Sequence, residues 1–411
     1  MKSVDDFVQL LNELRRERYG EQSFPITKAL LYYYASIITP INEIYTESYI
    51  PKKAGGTRRI QVPCKGLKEI QSYIVEILTS LYTPESYVTG FVRGKSIVDN
   101  ARPHVNHKYL VSWDIKDFFS SIHAKLVVYS LKSKPYFLPT DVAHLITDLC
   151  CIRIGEDSIK RVLPQGAPTS PILSNIVFSV ADKLILDFCG NGFCSTYRRR
   201  GPITYTRYAD DMTFSADYDF YYNKRFSWYE MCRVFRRTFR EDLSLRHFYY
   251  FITLQLNKKK TRKCKSGQRK VVTGVVVNEK LNVKREYVRE IRDLLYIWDK
   301  YGYDEAKKSY ASHRRNHPKA NCELLNVLVG KINFIKQVKD SNDSVYLRFR
   351  SKLKELCTRK GTSQMVSILL NTGLSLKGIM LDLDLDKGVK IQIAGIVKYI
   401  PISSIKEIVQ D

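Results

Sequence analysis

Apolar residues near the amino terminus recur at the spacing of one helix face, with Val4, Phe7, Leu10, Leu11 and Leu14 predicting a helix over 4–16. Residues 27–46 follow the same period and are rich in Leu, Tyr and Ile, so a second helix is expected there. The pattern changes over 49–63, where Gly55-Gly56 is flanked by β-prone residues. That is a hairpin signal with basic residues on its arms. Helical spacing returns over 66–82 through Leu67, Ile70, Ile74, Ile77 and Leu78. From Tyr109 the run Tyr-Leu-Val-Ser-Trp-Asp predicts a buried strand ending in acids and aromatics, and a helix carrying Leu126 and Val127 follows. Residues 161–171 make a turn-rich loop, and 172–188 an apolar helix. Residues 204–215 predict two strands joined by a tight acidic turn at Asp210-Asp211. The run 256–273 is strongly basic, 284–340 reads as helical, and 345–411 mixes a helix with short strands. In that last stretch 381–388 alternates strictly, as a half-buried or edge strand would, with its acids on a solvated face and 389–399 as partner. Strands and helices mix without regular βαβ alternation, which predicts an α+β chain rather than a doubly wound sheet.

Charge narrows the partners. Among 411 residues, 67 are Lys or Arg and 42 are Asp or Glu, a formal net charge of +25. Such an excess argues against an acidic-tail scaffold or a binder of cationic ligands and favours a polyanion, either nucleic acid or a membrane surface. A mean hydropathy of −0.27 and the lack of an apolar run near the ~20 residues of a bilayer span weigh against a membrane. The start Met1-Lys2-Ser3-Val4-Asp5-Asp6 lacks a signal-peptide pattern, so a cytoplasmic location is expected. Nine cysteines without a CxxC pair predict reduced thiols rather than a disulfide framework or zinc site.

Three acids carry the candidate chemistry. Asp114 ends an apolar strand, and Asp210-Asp211 occupy the turn between two others. If those strands lie side by side, the carboxylates can share hard divalent cations ~4 Å apart that straddle a phosphate. The plain alternative is a solvated hairpin tip, with Asp114 capping the next helix. Tyr208-Ala209 before the pair and Met212-Thr213-Phe214 after it are strand formers, an unusual setting for a solvated tip.

These residues resemble the motifs of reverse transcriptases. Tyr208-Ala209-Asp210-Asp211 is similar to the family's Tyr-x-Asp-Asp, and residues 114–119 to its first metal-binding strand. Residues 163–171, Leu-Pro-Gln-Gly-Ala-Pro-Thr-Ser-Pro, resemble its template and nucleotide loop, 51–63 the fingers block, and 327–335 the start of a thumb helix. All five occur in the family's order. Asn100-Ala101-Arg102-Pro103-His104 and Val272-Thr273-Gly274 resemble patterns of retron-type members, over about residues 30–340. A related defence-associated group stays open because 345–411 is not clearly covered.

The resemblance implies a right-hand polymerase. Its expected parts are 1–105 as N-terminal helices and fingers, 106–280 as palm with a fingers element around 125–165, 281–344 as helical thumb, and 345–411 as a small α+β extension. It implies Asp114, Asp210 and Asp211 as metal-binding catalytic acids, with the carbonyl of Ile115 as a further ligand of two Mg2+ ions, Mn2+ being the alternative. Phe119 would stack under the incoming sugar and exclude a 2′-hydroxyl; Phe118 and Phe119 cannot both face it. Gln165 and Gly166 would meet nucleotide and template. Arg58 would hold the triphosphate, with Arg59 its in-register rival and Lys53 a looser match. Lys260 would lie near the triphosphate, or on a solvated basic face. Asn100 and His104 would lie at the bound RNA. Basic clusters at 198–200, 258–265 and 313–315 would neutralise phosphates, and Tyr249 and Tyr250 are expected to be buried.

The expected function is RNA-directed DNA synthesis on a partner non-coding RNA serving as template and primer, in antiphage defence with a separate effector protein. Three alternatives remain: another defence-associated enzyme making repetitive or untemplated DNA, an intron-type maturase, and a non-catalytic RNA chaperone.

Overall fold

A computed structural model describes residues 1–411 apart from 37–38, 52–55, 155–159, 193–200, 222–225, 243–246, 250, 252–253, 313–322, 359–364, 385–386, 395 and 411. Lys53, the clusters at 198–200 and 313–315, and Tyr250 therefore lie outside the described residues. The chain divides into two compact units, Met1–Thr273 and Gly274–Asp411.

In the first unit the helix Val4–Tyr19 buries Val4, Phe7 and Leu11, with Leu10 and Leu14 packed at the core margin. Its start is capped by Ser3, whose hydroxyl accepts from the Asp6 amide. The helix expected over 27–46 is interrupted. Lys28–Ala35 is helical, a short turn Ile41–Ile44 follows, and strand β1 (Tyr45–Pro51) then begins. Pro40 accounts for the break, since it lacks an N–H and biases the preceding residue away from helical backbone. Strand β1 pairs antiparallel with β2 (Thr57–Pro63) as the predicted hairpin, and the helix Lys65–Leu81 follows.

The sheet that organises this unit has strand order β6-β7-β3-β8, from β3 (Tyr109–Asp114), β6 (Thr204–Tyr208), β7 (Asp211–Ala216) and β8 (Arg262–Cys264). A short pair, β4 (Ile152–Arg153) and β5 (Arg161–Val162), lies between them in sequence. Strand β8 emerges from a run legible only as basic, because its three residues are too few to show an alternation. Trp113 packs against Phe214 and Phe226 in the core below the sheet. The helix Ser170–Asp187 is buried on most of its circumference, as its continuous apolar sequence requires.

After β9 (Val271–Val272), the second unit opens with β10 (Val275–Val276) and carries helices Arg285–Tyr301, Tyr303–Ser312, Leu324–Lys339 and Ser344–Thr358. Beyond them runs an antiparallel sheet of order β14-β13-β12-β11-β15. Its strands are β11 (Met365–Leu370), β12 (Ser375–Asp384), β13 (Gly388–Ile393), β14 (Ile396–Pro401) and β15 (Ile405–Gln410). The single partner expected over 389–399 is two strands, because Ala394 takes a left-handed turn at φ +47°. On β12 the acids stay partly exposed and are paired there, Asp384 with Arg350 at 2.8 Å and Asp382 with Lys354 at 3.0 Å. Asn326 exchanges hydrogen bonds with the Ile408 backbone, donating at 3.0 Å and accepting at 3.3 Å, and so ties the sheet to the Leu324–Lys339 helix.

Candidate active site

Strands β3 and β7 run antiparallel with Asp114 directly opposite Asp211, and Asp210 sits in the turn that leads into β7. The turn is tight because Ala209 adopts φ +57°. It is fastened to β3 from the other side: the Ile115 amide donates to the Asp210 carbonyl at 3.1 Å. The Asp114 carbonyl in turn accepts from the Asn257 amide at 2.8 Å. Asp114 is buried, and its Oδ2 receives Lys260 Nζ at 2.7 Å.

Crowding buried and half-buried acids together raises their affinity for protons. Burial, followed by the Asp210 and Asp114 charges, pushes Asp211 up to about 6. Burial and Asp114 also raise Asp210. The Lys260 ammonium is held protonated against its burial by the same acids. Oxygen-only donors with excess negative potential are the donor set a hard divalent cation takes, so these residues fit such an ion. Among the described residues, no three acidic, His or Cys side chains are already drawn into a ready-made ligand cage. The Lys260 ammonium closes on Asp114 Oδ2 from one side.

The other expected residues separate into two groups. In the first group, Phe118 turns into the core at 6 % exposure, whereas Phe119 is half-buried with its ring centre 5.9 Å from that of Phe91. The Gln165 carbonyl accepts from the Gln61 amide at 2.8 Å, docking the loop on β2. Gly166, at φ +130°, lies so close to this strand that a Cβ would stand 2.8 Å from the Gln61 carbonyl oxygen and from Ile60 Cγ2. Alternation along β2 places Arg58 on the Ile60 face and Arg59 on the other, where Glu47 holds it in an ion pair. Arg58 is exposed and has no ion pair among the described residues.

Asn100 and His104 differ from expectation. Both are fully buried. Asn100 bonds the Thr89 hydroxyl at 2.9 Å and donates to that of Thr273 at 3.4 Å. His104 lies 2.7 Å from the hydroxyls of both Thr206 and Ser215. Direct contact of either side chain with RNA is thereby corrected: His104 is spent on joining residues 97–104 to the β6–β7 hairpin, and Asn100 on joining them to Thr89 and Thr273. Tyr249 is likewise 44 % exposed rather than buried.

One buried charged group escaped the sequence reading. Arg207, on β6, pairs with Asp182 at 2.7 Å, both side chains being fully buried. A basic residue in so basic a chain reads as a phosphate contact. The only sequence signal against that was its place between the strand residues Tyr205-Thr206 and Tyr208.

A family model described as reverse transcriptase (RNA-dependent DNA polymerase) matches residues 50–272. The chain belongs to that family, which fits a right-hand polymerase fold. Among curated relatives, the retron Ec86 reverse transcriptase of Escherichia coli is 31 % identical over 59 % of this chain and 67 % of its own. The retron Ec83 reverse transcriptase of the same organism is 32 % identical over 60 % and 73 %. The retron Mx65 reverse transcriptase of Myxococcus xanthus is 31 % identical, the match spanning 61 % of this chain and 55 % of that protein. This chain is a retron-type reverse transcriptase, an RNA-directed DNA polymerase.

Proposed function

We propose that the enzyme copies a partner non-coding RNA into DNA by nucleotidyl transfer at Asp114, Asp210 and Asp211. The observation that carries this reading is the cross-strand pairing of Asp114 with Asp211, with Asp210 fixed beside them by the Ile115 amide. The three carboxylates and the Ile115 carbonyl would hold two divalent cations, Mg2+ in the first instance. Such ions supply charge neutralisation at the phosphates and a more acidic attacking hydroxyl.

The chain's own residues position the reactants, which is most of what phosphoryl chemistry asks of a protein. Arg58 is free to meet a triphosphate, and Lys53 would assist. The Gln165-Gly166 loop, seated on β2, offers backbone to the nucleotide and template. Phe119 would lie under the sugar. Lys260 can leave Asp114 for the departing pyrophosphate and deliver it a proton from Nζ. With these roles go fingers within 1–105 and around 125–165, palm within 106–280, thumb within 281–344 and an extension from 345.

The RNA would act as template and primer, inside the cytoplasm, with antiphage defence and an effector protein as the wider setting. No described helix is long and apolar enough to cross a membrane. The test is primer extension by Asp210→Asn and Asp211→Asn variants, joined to sequencing of the nucleic acid that co-purifies with the unaltered enzyme. Loss of synthesis in folded variants, with RNA joined to DNA through an internal 2′ position, is expected. Residual synthesis would remove the acids from the mechanism. Free repetitive DNA would point to another defence-associated polymerase.

A further inference from the structure

The buried ion pair lies directly behind the acidic turn, and its bonding is unusually complete. Arg207 Nε donates to Asp182 Oδ1 at 2.8 Å and to Oδ2 at 3.1 Å, and Nη2 donates to Oδ2 at 2.7 Å. Nη1 turns the other way. It donates to Asn175 Oδ1 at 3.0 Å and to the Ala209 carbonyl at 3.3 Å. Asn175 and Asp182 are seven residues apart on the Ser170–Asp187 helix, two turns along the same face. The guanidinium carbon stands 4.9 Å from the ring centre of Phe178 on that face. Tyr205 also donates to Asp182 Oδ1, at 2.7 Å.

A third segment joins the network. Asn175 Nδ2 donates to the Gly90 carbonyl at 2.9 Å. Residues 87–89 run along β6, the Arg207 amide donating to the Tyr87 carbonyl at 2.8 Å and the Thr89 amide to the Arg207 carbonyl at 3.0 Å. A Cβ at Gly90 would come within 2.3 Å of the Ala209 amide nitrogen, so only glycine lets this strand lie against the turn.

A buried ion pair is weak as a source of stability, since apolar residues of the same volume often serve the core as well. What it supplies here is direction. Ala209 is held at a positive φ, a backbone region that residues with a side chain rarely adopt. Its carbonyl is the acceptor at the end of a chain of bonds anchored on the helix. The next carbonyl, that of Asp210, is held from the opposite side by Ile115. The turn bearing the acids is thus gripped at two consecutive peptides, by Arg207 behind and by β3 in front.

We propose that Arg207 is a positioning residue for catalysis. Its guanidinium, oriented by Asp182 and Asn175, fixes the Ala209 peptide and so sets where the Asp210 and Asp211 carboxylates stand. This rests on the reading of those two acids as catalytic. Misplacing reacting groups by ~1 Å costs about 100-fold in rate, which is the size of effect expected.

The test uses the full-length enzyme with its RNA. In Arg207→Lys the ammonium keeps a partner for Asp182 but loses the fork that reaches Ala209. Turnover per folded enzyme is expected to fall about 100-fold. The deoxynucleotide KM and RNA affinity of the folded fraction should stay within about twofold, while the melting temperature falls because buried acceptors lose their donors. A residue that only holds the core together would lower the amount of folded enzyme and leave turnover per active site unchanged; that result, or unchanged activity, overturns the proposal. If Arg207→Lys does not fold, Asn175→Ala decides, because it leaves the ion pair whole while freeing one side of Nη1 and, with it, the Gly90 carbonyl. Its turnover should fall with KM unmoved, and an unaltered turnover overturns the proposal. Asp210→Asn run in parallel separates the two failures. An active Asp210→Asn defeats the catalytic assignment itself. An inactive Asp210→Asn beside a fully active Arg207→Lys defeats only the role of Arg207.

Discussion

Acidification should weaken this fold through a single buried imidazole. His104 has no exposed surface and sits between β6 and β7, touching a hydroxyl on each. The Thr206 hydroxyl also donates to the Asn100 carbonyl at 3.3 Å, so toward the ring it must accept. That makes Nε2 the protonated nitrogen of a neutral ring and Nδ1 the acceptor of the Ser215 hydroxyl. Burial, with His107 adding to it, lowers the pKa of His104 from 6.5 to about 3. Between those values the unfolded chain binds a proton that the folded chain refuses. Stability is therefore intact above about pH 6.5 and falls as the pH drops towards 3, by up to about 1.4 kcal/mol for each pH unit. From pH 7 to pH 5 this amounts to about 2 kcal/mol from His104 alone. The assay is urea unfolding at both pH values for the unaltered enzyme and for His104→Asn, an uncharged polar replacement. The variant starts less stable, since it gives up a filled site, but its loss between pH 7 and pH 5 should be smaller by about 2 kcal/mol. Equal losses in the two proteins would refute the assignment of the pH dependence to this ring.

Three further outcomes follow from positions around the cleft. Arg58→Ala should raise the deoxynucleotide KM about tenfold, the equivalent of one charge-assisted contact of ~1.4 kcal/mol. Arg59→Ala, which removes only the pair with Glu47, should shift KM by less than about threefold; steady-state extension assays on both variants check this ordering. Gly166→Ala should destabilise the loop by roughly 1–3 kcal/mol, because it adds a Cβ 2.8 Å from the Gln61 carbonyl at a backbone angle that disfavours side chains. Limited proteolysis and melting curves read that loss. Phe119→Ala should relax discrimination against ribonucleotides, measured as the ratio of kcat/KM for the two sugars. Unchanged discrimination would mean that the half-buried ring beside Phe91 does not meet the sugar.

The residues whose juxtaposition was legible in the sequence share one property: their position is set by the strands they end or begin. Asp114, Asp210 and Asp211 interrupt apolar runs, and a carboxylate at the end of a buried strand has few settings other than a site. Beyond the end of β3 the chain turns into the short helical turn Phe119–Ser121, which brings Phe118 inside and leaves Phe119 at the margin. Where a role depends on a distant element, the sequence was silent or misleading. The pattern containing Asn100 and His104 marks a position but carries no information on exposure. Their burial depends on Thr206, Ser215 and Thr273, more than a hundred residues away. The choice between Arg58 and Arg59 depends on which face of the ribbon carries Glu47. Arg207 is the extreme case, because nothing in its neighbourhood in sequence names Asp182 or Asn175. Its chemistry would suit a phosphate equally well, and the helix behind it decides otherwise. The unread part of the site is therefore the part that holds the acids in place rather than the acids themselves. A polymerase cleft drawn from motifs alone lacks the reason that its carboxylates stand where they do.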